Sequence, residues 1–133
     1  MQVNVSDNAF LEKADESLDG AESEYSNGRY NNTANRCYYA CFQASIHALL
    51  RAGIQPAGAQ AEWGHDFVQA QFIGQLINRR KLYPTELRQT MIQNYQLRVT
   101  ADYERDHVNQ VRAARAIRRT EAFLASVKQG EST

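Results

Sequence analysis

Apolar residues recur along this chain every three or four positions, and no run alternates for long with period two. That spacing is the mark of amphipathic helices. Phe10, Leu11, Ala14, Leu18, Ala21 and Tyr25 predict a first helix, with Ser6 or Asp7 as its cap and Asn27-Gly28 as its end. A second helix, opening at Asn31 or Asn32 and stopped by Gly53, carries Ala34, Cys37, Tyr38, Cys41, Phe42, Ser45, Ile46, Leu49 and Leu50. Residues 54–63, rich in Gly, Ala and Gln around Pro56, read as a flexible loop. Phe67, Val68, Phe72, Leu76 and Ile77 predict a shorter third helix, ending at Arg79-Arg80-Lys81, where the helix dipole favours cations. Pro84 suits the first turn of a fourth, with Glu86 in that turn and Leu87, Met91, Tyr95 and Leu97 along it. Asn109 can cap a last helix bearing Val111, Ala114, Ile117, Phe123, Leu124 and Val127. Five helices joined mostly by short turns predict an all-α, antiparallel up-and-down bundle. No internal repeat or composition break divides residues 1–133, so a single domain is expected.

Composition narrows the class. The mean hydropathy is −0.61, and no apolar run approaches the ~20 residues a membrane helix needs. The N-terminal residues lack the basic start and apolar core of a secretory signal, so a cytoplasmic protein is expected. Fifteen basic and fifteen acidic residues cancel, but unevenly. Residues 1–66 hold four bases and nine acids, whereas residues 67–133 hold eleven and six. A split from −5 to +5 points to an anionic partner near the C-terminal half, with nucleic acid among the candidates. Cys37 and Cys41 share a helix face and lack two further ligands at zinc spacing, so they read as small core residues.

Chemistry concentrates in Leu97-Arg98-Val99-Thr100-Ala101-Asp102-Tyr103. Arg98 and Asp102 are four apart, so the carboxylate can hold the guanidinium. The simpler reading is an internal ion pair with Tyr103 packed over it. The functional one has Arg98 clamp a phosphate while Tyr103 donates a hydrogen bond or stacks on a base. Tyr39, beside the core residues Tyr38 and Phe42, faces partly away from them toward another helix or a partner. His65 opens the third helix in Gly64-His65-Asp66, where it can cap or touch an anion; His47 is expected on the outer side of the second helix, and His107 lies beyond the fourth. Arg112, Arg115 and Arg119 keep close to one stripe of the last helix, either a solvated face or a surface for RNA or nucleotide. Histidine–glutamate metal motifs, phosphate loops, dinucleotide fingerprints and nucleophile elbows are absent from the sequence, and neither metal nor cofactor is expected.

Three segments in order, GRYNNTANRCYYACFQASIHALL, Gly64-His65-Asp66-Phe67 and LRVTADY, resemble the HEPN domain proteins. The likeness is greatest to small members in which an Arg-x-x-Ala-Asp-Tyr signature ends the fourth helix, and it runs from about residue 7 to 128. The resemblance implies a helical bundle that commonly forms homodimers. Many members are ribonucleases, often toxins paired with a minimal nucleotidyltransferase antitoxin; others bind RNA or nucleotide without cleaving it. In the ribonucleases an arginine is followed, after four to six residues, by a histidine, and two subunits join these motifs so that an RNA 2′-hydroxyl attacks the adjacent phosphate.

Arg98 matches that arginine; the histidine positions fall on Tyr103, Glu104 and Arg105. A phenol titrates near ~10 and imidazole near ~6.5, so Tyr103 is a poor general base. Asp102 is weakened for that role by its pairing with Arg98. The expectation is therefore a noncatalytic homodimeric module binding RNA, a nucleotide or a partner nucleotidyltransferase through Arg98, Tyr103, Tyr39, His65 and the arginines of the last helix. The alternatives are a metal-independent endoribonuclease, with Arg98, Asp102 and Tyr103 as its catalytic candidates, and a helical protein-interaction adaptor. The resemblance also makes Tyr103 a residue to which a partner nucleotidyltransferase could add AMP.

Overall fold

A computed structural model of the chain describes residues 8–58 and 61–131. Its elements are α1 (Ala9–Ser26), α2 (Tyr30–Arg51), α3 (His65–Gln71) running directly into a π-helical segment (Phe72–Arg79), α4 (Glu86–Tyr103) and α5 (Gln110–Glu131). No strand occurs among the described residues. The all-α bundle of five helices is thus present. Ser6 and Asp7, the expected cap of α1, lie outside the described residues.

α2 is the hub, packing against α1, α3, α4 and α5. It has twelve buried residues, from Thr33 to Leu49, which only a helix surrounded on most sides can have. α1 lays Leu11, Ala14, Ser17 and Ala21 against it, a three-and-four spacing that makes one stripe. Gly28 makes the turn between them at φ +74°, a conformation that costs a side-chain-bearing residue about 1–2 kcal/mol. The Arg29 amide closes the turn onto Glu24 O at 2.9 Å.

The third helix departs from expectation in its second half. Bonds from residue i to i+5 widen the turn, so Phe72 and Ile77 come into line and join Leu76 in the core. Arg80 ends this segment with its amide on Gln75 O at 2.9 Å and one guanidinium nitrogen on Ala52 O at 3.1 Å. α4 buries Leu87, Thr90, Met91, Asn94, Leu97 and Thr100. In α5, Asn109 Oδ1 accepts the Arg112 amide at 2.8 Å, the cap expected there. Its first turns, however, bury Ala113 and Ala116 rather than Val111, which is 57% exposed. Ala113 and Ala116 instead share a cluster of mostly small buried side chains with Ala21, Ala34, Cys37, Leu97 and Val108, and Ile117 packs at its edge. Large side chains, Phe72, Phe123, Leu76 and Leu124 among them, fill the other cluster. His47 also differs from expectation, being 3% exposed, because α2 is covered on its far side too.

Candidate functional site

α2 and α4 run antiparallel, so Asn35 reaches Asp102 while Cys41 lies beside Asn94. Between these two contacts lies Arg98. Its guanidinium carbon stands 4.8 Å from the ring centre of Tyr38, 5.5 Å from Tyr39 and 5.8 Å from Tyr103. Aromatic faces carry negative potential and hold a flat cation without using its N–H groups. Asp102 Oδ2 approaches Arg98 Nε at 3.4 Å while accepting a 2.9 Å hydrogen bond from Asn35 Nδ2. That contact is ionic rather than a hydrogen bond, because Arg98 Nε is buried with no acceptor. Among the described residues, the guanidinium makes one hydrogen bond, from Nη2 to Tyr39 Oη at 3.5 Å. The simpler expectation for the Arg98–Asp102–Tyr103 segment, an ion pair with Tyr103 packed against it, is present. The pair forms, but it leaves most of the arginine's donors unused.

Tyr38 extends the cluster to a residue far away in sequence. Its hydroxyl lies 2.6 Å from His65 Nδ1 at the start of α3, and the imidazole stacks on Tyr95 with ring centres 4.2 Å apart. Burial pushes the Tyr38 phenol up to about 12 despite the opposing pull of Arg98. His65 is pushed below its usual value, first by burial and then by the Arg98 charge, with Asp66 opposing. At neutral pH the cluster thus contains a cationic Arg98, a neutral His65 and a neutral Tyr38.

Arg98, Asp102, Tyr103, Tyr39 and His65 come together around Tyr38. The arginines of α5 do not extend this group as one stripe. Arg112 and Arg115 are exposed, and among the described residues no hydrogen bond or ion pair joins them to it. Arg119 is half-buried, with Nε donating to Asn94 Oδ1 at 2.7 Å. Asn94 completes that bond by donating to Thr120 Oγ1 at 2.9 Å. His107 hydrogen-bonds Asn31 at 3.0 Å, at the opening of α2. Asn35, Tyr38 and Asn94 were not singled out from the sequence as site residues. Asn35 shares a helix face with Tyr38 and Tyr39, three and four residues on, a spacing that could have marked it. Nothing local could have paired His65 with Tyr38, 27 residues apart.

No group of three or more metal-ligating side chains occurs among the described residues, and no helix is long and apolar enough to cross a membrane. What remains is a flat, ring-stacked cation with open donors. Beside it stand a neutral imidazole, two phenol hydroxyls and, at the rim, the 72% exposed ring of Tyr103. Such a set matches the tetrahedral oxygens of a phosphate, with Tyr103 available to stack on a base.

Comparison with known proteins agrees in extent with this picture. A Methanocaldococcus jannaschii protein named "Putative toxin MJ0605" is 28% identical over 124 residues, covering 91% of this chain and 85% of that protein. The family model described as HEPN domain matches residues 8–130, from the start of α1 to the end of α5 and across every residue of the Arg98 cluster. A match spanning the whole bundle places the chain in one family: it belongs to the HEPN domain proteins.

Proposed function

We propose that this chain is a toxin-like HEPN module that binds a phosphate of RNA or of a nucleotide at Arg98, and that it does so as a homodimer in a pairing with a nucleotidyltransferase partner. The observation that carries this reading is the guanidinium of Arg98 held among three tyrosine rings, with a single hydrogen bond, Nη2 to Tyr39, among the described residues. A purely structural arginine has its donors filled, because a buried donor without an acceptor costs about 1–3 kcal/mol. The name of the archaeal relative supports a toxin-like setting. The decisive experiment measures binding of a labelled RNA oligonucleotide and of a mononucleotide at low salt. Wild type should bind, with affinity falling as salt rises, and Arg98→Ala should lose at least about tenfold, equivalent to 1.4 kcal/mol. Affinity that is unchanged in Arg98→Ala would sink the reading. Sedimentation of the free protein tests the homodimer, and co-purification tests the partner.

RNA cleavage at the same arginine is the second reading, favoured by one observation: Tyr38 links an imidazole, His65, to the Arg98 stack. An RNA substrate incubated in chelator separates the two. Cleavage that disappears in both Arg98→Ala and His65→Gln supports the nuclease, and intact RNA supports binding alone.

A further inference from the structure

We propose that the Tyr38 hydroxyl, positioned by His65, is a second phosphate-binding group of the Arg98 site, and that the site takes a terminal phosphate monoester as its dianion, with His65 gaining a proton as the ligand binds. The inference rests on the phosphate-binding reading above and names the kind of phosphate.

Geometry supplies the argument. Tyr38 is the shared wall: Arg98 lies over its ring at 4.8 Å, and His65 meets its hydroxyl at 2.6 Å. The groups around the imidazole are Tyr38 and Cys41 from α2, Tyr95 and Arg98 from α4, and Asp66 from its own helix. Tyr38 and Cys41 are held neutral by burial, which raises both to about 12. Asp66 and Arg98 act on His65 with opposite signs, and burial tips the balance toward the neutral ring. Asp102, the other carboxylate of the cluster, is engaged by Asn35 and Arg98.

An arriving dianion changes that balance. It cancels the Arg98 charge and adds a negative charge beside the imidazole, so the protonated form becomes favoured. Proton uptake then has a structural consequence. A neutral Nδ1 accepts from the Tyr38 hydroxyl, whereas a protonated Nδ1 donates to Tyr38 Oη, and the phenol hydrogen is released for a ligand oxygen. A diester, with one charge, is neutralised by Arg98 alone and gains little from this rearrangement. Discrimination therefore arises from charge count.

The source of a terminal phosphate is either a free mononucleotide or the 5′ end of an RNA. Titration calorimetry with 5′-AMP and with the methyl ester of the same phosphate, each in two buffers of different ionisation enthalpy at pH 7, tests the proposal. The extra attraction between neighbouring unit charges, less the cost of protonating His65, leaves AMP bound about tenfold more tightly. AMP should take up close to one proton on binding and the ester none. In His65→Gln, checked for its fold by circular dichroism, the AMP-to-ester ratio should fall to about one and proton uptake should vanish. Comparison of 5′-phosphorylated with 5′-hydroxyl RNA octamers shows whether an RNA end is accepted as well as AMP. Equal affinities for AMP and its ester, or AMP binding without proton uptake, overturn this inference and leave phosphate binding standing. Failure of every phosphate compound to bind overturns both.

Discussion

Asn94→Ala is the substitution whose consequences the structure specifies most fully. Asn94 is 1% exposed and stands between α2, α4 and α5. Its Oδ1 accepts from Arg119 at 2.7 Å, and its Nδ2 donates to Thr120 at 2.9 Å, with Cys41 Sγ at 3.3 Å. The first bond is charge-assisted, worth about 1.5–3 kcal/mol, and the second is neutral, worth about 0.5–1.5 kcal/mol. Arg119 is only half-buried, so water recovers part of the first. A loss of about 3 kcal/mol follows, a fall in Tm of roughly 10 °C for a chain of this size. The assay is urea unfolding followed by circular dichroism at 222 nm, on Asn94→Ala, Arg119→Met and the double variant. Removal of the guanidinium should make the loss of Asn94 cheaper, giving a coupling above about 0.5 kcal/mol. Additive losses, or an Asn94→Ala cost below about 1 kcal/mol, would show that this network is not what ties α4 to α5. The network also concerns the site. Asn94 fixes α4 against α2 one turn before Arg98, so the same variant should weaken phosphate binding.

Three further outcomes are expected. Cys37 and Cys41, with thiols raised to about 11 and about 12 by burial, should resist iodoacetamide in the folded protein and react together once urea unfolds it; rapid labelling under native conditions would contradict their burial. Gly28→Ala should destabilise by about 1–2 kcal/mol in thermal melts, because φ +74° is strained for alanine although open space surrounds the position; an unchanged Tm would mean the turn relaxes. His65 has a folded pKa below its unfolded value, so the unfolded chain binds the extra proton and stability should fall as pH drops from about 6.5 toward the folded pKa. That fall should be shallower in His65→Gln, and identical profiles for the two proteins would count against a neutral His65 in the folded protein.

The heptad-like faces of α1 and α4 were legible because each packs on one side only: Leu11, Ala14 and Ala21, then Leu87, Met91 and Leu97, are buried as their spacing requires. Legibility fails where packing is close or surrounds the helix. In α5 the closest approach selects Ala113 and Ala116, residues too small to register as an apolar face, and leaves the larger Val111 outside. His47 sits on a helix covered on most sides, its polar stripe at Asn32, Asn35, Arg36 and Gln43 facing elsewhere. The π-helical turn changes the period itself, which spacing did not reveal, although Phe72, Leu76 and Ile77 are buried as expected. For the site, Arg98, Asp102 and Tyr103 are local and were readable from a spacing of four and five. Asn94 and the Tyr38–His65 contact depend on how α2, α3 and α4 meet, which no spacing within one helix encodes.

Two of the half-buried arginines, Arg98 and Arg119, show by contrast why Arg98 reads as a binding group. Arg119 Nε has a short bond to an asparagine that is itself fully satisfied; this is how a fold accommodates a guanidinium it keeps for structure. Arg98, with its side chain 19% exposed, has a buried Nε without an acceptor and an ionic contact of 3.4 Å from a carboxylate already hydrogen-bonded elsewhere. The unmet Nε weighs against the fold by about 1–3 kcal/mol, and on the proposed reading a phosphate engages the Nη nitrogens, of which Nη2 bonds Tyr39. Binding and stability would then be coupled at this residue. A phosphate ligand at one hundred times its Kd should raise the stability of wild type by about 2.7 kcal/mol and that of Arg98→Ala far less. Asn94→Ala, which loosens α4 without removing the guanidinium, should keep a smaller but measurable gain. A melt that ligand shifts equally in wild type and Arg98→Ala would move the binding site elsewhere and leave the open donors of Arg98 as strain without a use.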